Sequence, residues 1–87
     1  MNKLICELPK NAREKLIFNL NDFRGRHYLD MRLYLVGEDC GQDIPTRKGL
    51  TLAVDLYPQF KEGLIQVEKA IVERGLLDRE DLEVQAG

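Results

Sequence analysis

Between residues 28 and 36 the chain alternates strictly. Leu29, Met31, Leu33 and Leu35 fall on one side, and Tyr28, Asp30, Arg32, Tyr34 and Val36 on the other. From residue 56 the rhythm changes, and Leu56, Phe60, Leu64, Val67 and Ile71 recur every third or fourth position. Period two marks a strand with one wet face, whereas a period near 3.6 marks one face of a helix. A chain of 87 residues that makes this switch once is expected to be one small domain, a sheet followed by a helix.

The same alternation extends to other segments. In "KLIFNLNDF" Leu16, Phe18 and Leu20 form an apolar face, opposed by Lys15, Asn19 and Asn21; Ile17 and Phe23 are apolar exceptions on the wet side. Gly25 between the two runs suits a tight hairpin, because glycine adopts positive φ without steric cost. "KLICEL" reads as a short first strand ended by "PKNA". "KGLTLAV" reads as a fourth, with Leu50 and Leu52 inward, after the polar loop "GEDCGQDIPT". For the helix, Asp55 is the expected N-cap, Pro58 falls in the first turn and Gly75 stops it. Ile65 and Val72 add a second apolar line, so the helix is expected to cover its sheet and touch a partner subunit. Residues 1–75 are expected to form the domain and 76–87 an acidic tail, ordered at most as a short helical turn.

Composition bounds the function classes. With 44% hydrophobic and 32% charged residues the chain is expected to fold, and its size favours dimerisation as a source of stability. Cys6 and Cys40 form no metal-binding pair with the lone His27, so structural zinc spacings are excluded and reduced thiols are expected. "MNKLICELPK" is no secretory signal, and no apolar run is long enough to span a membrane. The net charge of −2 is unevenly spread: residues 1–50 hold nine Lys/Arg against seven acids, and residues 51–87 four against eight. An acidic protein can therefore present a basic face.

Catalysis is poorly provided for. There is no nucleophile elbow, phosphate loop or dinucleotide fingerprint, and the carboxylates beside Cys40 oppose thiolate formation. No enzyme activity, cofactor, metal or small-molecule substrate is expected. The wet face is richer, with Lys15, Asn19, Asn21 and Phe23 on one arm of the hairpin and Tyr28, Arg32 and Tyr34 on the other. Cations that follow phosphates and rings that stack on bases are what a single strand requires. The competing reading is an ordinary antiparallel sheet, with Arg32 paired to a carboxylate and the tyrosines at the rim or a dimer contact.

"NDFRGR" (21–26), "LDMRLY" (29–34) and "TRKGLTL" (46–52), followed by "QFKEGL" (59–64) in the helix, resemble the C-terminal domain of the transcriptional positive cofactor 4 family. The ordered set spans roughly residues 3–74, and its most specific element is the Arg-Lys-Gly-aliphatic-Thr-Leu run. The resemblance implies an α+β fold: a curved four-stranded antiparallel sheet followed by one C-terminal helix, homodimeric. It also implies binding of single-stranded DNA with little sequence preference, in transcription, replication or repair. Phe23 matches the family's stacking aromatic, Arg24 and Arg26 its basic residues, Arg32 its strand arginine, and Arg47 and Lys48 its later cations. Lys15, Asn21, Tyr28 and Tyr34 join these as expected DNA contacts from the wet face.

The chain departs from the family at Asn21, where an arginine is frequent, and at Leu35, where a tryptophan is frequent. With about two dozen residues before Phe23 it resembles a stand-alone prokaryotic or phage version. A cytoplasmic location is expected, nucleoid-associated in a prokaryote and nuclear in a eukaryote. An RNA-binding relative and a protein-interaction module are the alternatives.

Overall fold

The computed structural model describes residues 2–38 and 41–84, so Met1, Asp39, Cys40 and the last three residues lie outside it. The chain divides into two compact units, Met1–Asp55 and Leu56–Gly87.

The first unit is a curved antiparallel sheet of β1 (Lys3–Pro9), β2 (Glu14–Phe23), β3 (Arg26–Leu35) and β4 (Ile44–Ala53), in the order β1-β2-β3-β4. Both strand prolines, Pro9 and Pro45, sit on the edge strands, where a missing N–H breaks no ladder on the solvent side. The β1–β2 turn is organised by Asn11, whose side-chain oxygen accepts from the Arg13 and Glu14 amides at 2.9 and 2.8 Å.

The expected strands are all present, but β4 begins at Ile44 rather than Lys48. The register explains the difference. Arg32 pairs with Gly49 and Tyr34 with Pro45, so β4 carries Thr46, Arg47 and Lys48 opposite the single residue Leu33. Two extra residues interrupt the alternation and hide the start of the strand. A smaller bulge leaves Ile5 unpaired in β1, between Leu4 opposite Asn19 and Cys6 opposite Phe18.

The register also fixes the faces. Leu16, Phe18 and Leu20 of β2 pair with Leu33, Met31 and Leu29 of β3, which meet Leu50 and Leu52 of β4. This expected core face has no buried residue within the single chain. The two buried side chains among the described residues lie on the opposite face: Ile17 at 4% exposure and Asp30 at 7%. Ile17, an apparent exception in the sequence, stands mid-strand, paired with Glu7 on β1 and Arg32 on β3.

In the second unit a 3-10 turn, Val54–Leu56, leads into α1 (Tyr57–Glu73). The N-cap is Leu56, with no side-chain cap, rather than the expected Asp55; the 3-10 turn places Asp55 one residue too early to reach the orphan amides. Pro58 does fall in the first turn. At the other end Gly75 adopts φ 69°, its amide donates to the Val72 carbonyl, and the Leu76 amide donates to the Ile71 carbonyl. That bond pair is a Schellman stop, which a glycine at positive φ permits. A short 3-10 helix, Arg79–Leu82, follows and carries a reciprocal capping box between Asp78 and Asp81. No residue of α1 is buried, and its stripe stays open, with Leu64 at 54% and Val67 at 53% exposure.

Candidate nucleic-acid interface

The tip of the β2–β3 hairpin sets an exposed phenylalanine ring at the end of the sheet. Phe23 pairs with Arg26, and the two residues between them have positive φ, 51° at Arg24 and 78° at Gly25. Two such residues make a type I′ turn, whose twist matches the flanking strands. Phe23 stands 61% exposed, and the Arg24 guanidinium lies 5.1 Å from the ring centroid. A cation over an aromatic face at this distance is attractive and helps hold the ring in one orientation.

Beside the ring, Asn21 and Tyr28 pair across the hairpin on the same face. With Asn2, Asp22, Phe23 and Thr51 they line an open cavity of about 370 Å³. The fold thus brings three expected site residues, Asn21, Phe23 and Tyr28, into one concavity with a polar rim. Nearby, His27 Nδ1 lies 2.6 Å from Asp22 Oδ1.

Further along the face the chemistry is internal. Asp30 Oδ1 accepts from Arg32 Nη2 at 3.1 Å and from the Thr51 hydroxyl at 2.8 Å. Arg32 Nη1 donates to the Thr46 carbonyl at 3.0 Å. Arg32 is therefore held by groups of its own sheet, pairing with a carboxylate as an ordinary sheet arginine does. Lys15, opposite Tyr34, is engaged too: its ammonium bonds Asp43 and lies 3.0 Å from Glu7. Those two carboxylates, Asp43 first, raise the Lys15 pKa above its ordinary value. Lys15 and then the Gly37 amide, which donates to Asp43 at 2.9 Å, hold the Asp43 carboxyl below its ordinary value. Lys15 acts here as an anchor for the β3–β4 loop.

Arg47 and Lys48 are exposed at the β4 bulge, and Arg24 and Arg26 at the hairpin tip. Among the described residues none of these four is within salt-bridge distance of a carboxylate. The expected site residues thus separate into exposed cations, a cluster around the Phe23 cavity, and the internally bonded Lys15 and Arg32. Tyr34 is half-buried between Lys15 and Pro45.

The sequence model of the family described as Transcriptional Coactivator p15 (PC4) matches residues 10–63, more than half of the chain. The chain belongs to the PC4 family. The match covers β2 to β4 and the opening turns of α1, the segment that carries every expected contact. An Arabidopsis thaliana protein, RNA polymerase II transcriptional coactivator KIWI, is 26% identical over 68 residues, which cover 78% of this chain and 58% of that protein. The chain thus matches less than two thirds of that relative's length. A PC4 homolog from Burkholderia pseudomallei has 33% identity and a TM-score of 0.70, covering 77% of this chain and 89% of the solved one. The bacteriophage T5 homolog of the eukaryotic coactivator PC4, implicated in recombination-dependent DNA replication, shares the fold. Its TM-score is 0.63 at 20% identity, with 97% of this chain and 98% of that chain covered.

Sequence reasoning overlooked Asp30, Thr46, Gly49 and Thr51, which shape the PC4 face from within. A signal was present in "LDMRLY": an aspartate two residues before an arginine on one strand lies on the same face and within its reach.

Proposed function

We propose that this PC4-family chain binds single-stranded DNA as a homodimer with little sequence preference, in transcription, replication or repair. The observation that carries the reading is the exposed Phe23 ring, gripped by Arg24 and set beside the cavity of Asn21 and Tyr28. A base stacks on such a ring whatever its identity, contributing about 1–3 kcal/mol. Arg24, Arg26, Arg47 and Lys48 offer their charges to phosphates, with Tyr34 further along the face. The names of the relatives, a transcriptional coactivator and a phage protein implicated in recombination-dependent replication, agree with this class of role.

Dimerisation is supported by the apolar surface left open. A sheet face of Leu16, Phe18, Leu20, Leu29, Met31 and Leu33 with no buried residue, and a helix stripe exposed at Leu64 and Val67, would be costly in water. A second copy covers such surface with no new chemistry.

Fluorescence anisotropy with single-stranded DNA, duplex and matched RNA across a salt series tests the proposal. We expect preference for the single DNA strand and an affinity that falls steeply with salt, as counterion release requires. Equal binding of duplex would remove the stacking account, and tighter binding of RNA would transfer the function to that polymer.

A further inference from the structure

The β4 bulge is held by two side chains, those of Thr46 and Arg32. Between the pairs Arg32–Gly49 and Tyr34–Pro45, three residues of β4 face the single residue Leu33, leaving ladder groups to be satisfied in another way. Thr46 does this at two places. Its hydroxyl donates to the Leu33 carbonyl at 2.7 Å and accepts from the Lys48 amide at 3.2 Å. Its own carbonyl accepts from Arg32 Nη1 at 3.0 Å, and Arg32 is anchored by the buried Asp30. The chain from Asp30 through Arg32 and Thr46 to the Lys48 backbone is thus continuous, and it ends at the two residues the bulge turns outward, Arg47 and Lys48.

We propose that Thr46 and Arg32 are positioning residues for nucleic-acid binding: together they fix the backbone that presents Arg47 and Lys48, and Arg32 acts through this chain rather than as a phosphate contact. This rests on the single-strand reading given above. The chemistry of Thr46 fits the task, since one hydroxyl both donates to the strand that lacks a partner amide and accepts from the amide displaced by the bulge. Arg32 is the side chain whose planar fork can bond Asp30 and the Thr46 carbonyl at once, which a lysine ammonium matches poorly.

The test measures single-strand affinity and its salt slope for the intact chain and for T46V, T46S and R32K, each in the wild-type and the R47A/K48A background. Thermal melts accompany each variant. In the wild-type background T46V and R32K weaken binding and make the slope shallower by about one released counterion. T46S, which keeps the hydroxyl, retains both. In the R47A/K48A background T46V and R32K have no further effect, because nothing remains to be positioned. R32K keeps the charge and is conservative enough to fold if T46V does not. Wild-type slopes for both T46V and R32K overturn the inference, as does an equal loss in the two backgrounds. An R47A/K48A chain that binds like wild type also overturns it. A wild-type chain that binds no strand defeats the functional reading itself, and the positioning role with it.

Discussion

Gly49 stands opposite Arg32 across the β3–β4 ladder, so close that a Cβ there would lie 2.6 Å from the Met31 carbonyl oxygen and 2.9 Å from the Arg32 Cα. Neither neighbour is a flexible side-chain end, so the strand itself must shift to admit a methyl group. Gly49→Ala is expected to destabilise the fold by about 1–3 kcal/mol, the range for overpacking. Urea unfolding reads this as a lower midpoint at unchanged slope. A midpoint equal to wild type would show that β4 has room to give.

Loss of Phe23 is expected to separate the proposed binding from folding. Its ring is largely exposed, so Phe23→Ala is expected to move stability by no more than about 0.5 kcal/mol. Single-strand affinity is expected to drop by about 1–3 kcal/mol, roughly five- to more than a hundredfold, for each base it stacks. Arg24→Gly should show the same dissociation in milder form. Glycine keeps the positive φ of 51° at no steric cost, while the cation over the ring is lost. Anisotropy and thermal melts on the same samples check both.

Acid should loosen the Lys15–Asp43 anchor. The Asp43 carboxyl is held below its ordinary value of 3.8, so its contribution is complete above that pH and is lost as pH falls through the lower folded value. Glu14 is lowered as well, chiefly by the Asn11 side chain, and titrates in the same acid window. Denaturation series between about pH 5 and pH 2 should therefore show declining stability, with a shallower decline for Asp43→Asn. Lys15 has the opposite sign: its contribution is present below 10.5 and disappears only above that value, at strongly alkaline pH. An Asp43→Asn profile parallel to wild type would show that the pair adds nothing to stability.

Charge placed in the helix stripe tests the proposed homodimer. Leu64 and Val67 are exposed within one chain, so Leu64→Glu with Val67→Glu alters little that a lone chain buries. If α1 meets a second copy, sedimentation should report a dimer for wild type and a monomer for the double variant, which also melts at lower temperature. A monomeric wild type would rule out the homodimer.

Much of the fold was readable because local pattern and final structure agree. The alternation of Leu29 to Leu35 placed a strand, Gly25 its hairpin and Gly75 the helix stop. What escaped depended on neighbours distant in sequence. Ile44 and Pro45 belong to β4 only because the chain regains register with Leu35 and Tyr34 on the far side of the bulge at Thr46 to Lys48. Ile17 appeared misplaced because its burial depends on its central place in the sheet, paired with Glu7 and Arg32 on the flanking strands. For the site, residue type announced cations and rings and offered a carboxylate for Arg32, but the partners of Lys15, Glu7 and Asp43, come from another strand and a loop that only the fold brings to it. Lys15 and Arg32 meet theirs within the sheet, whereas Arg24, Arg26, Arg47 and Lys48 project to solvent.

The strand order has a kinetic consequence. Each strand of β1-β2-β3-β4 pairs with its neighbour in sequence, and the longest uninterrupted pairing closes over a two-residue turn. Such a meander has a short loop to close at every step, so each sheet can zip outward from Arg24 and Gly25 within its own chain. Assembly of two copies is a bimolecular step that slows as the protein is diluted. For a dimeric chain, refolding of the sheet should therefore be fast and independent of concentration, with a slower second-order phase reporting the encounter of the two copies.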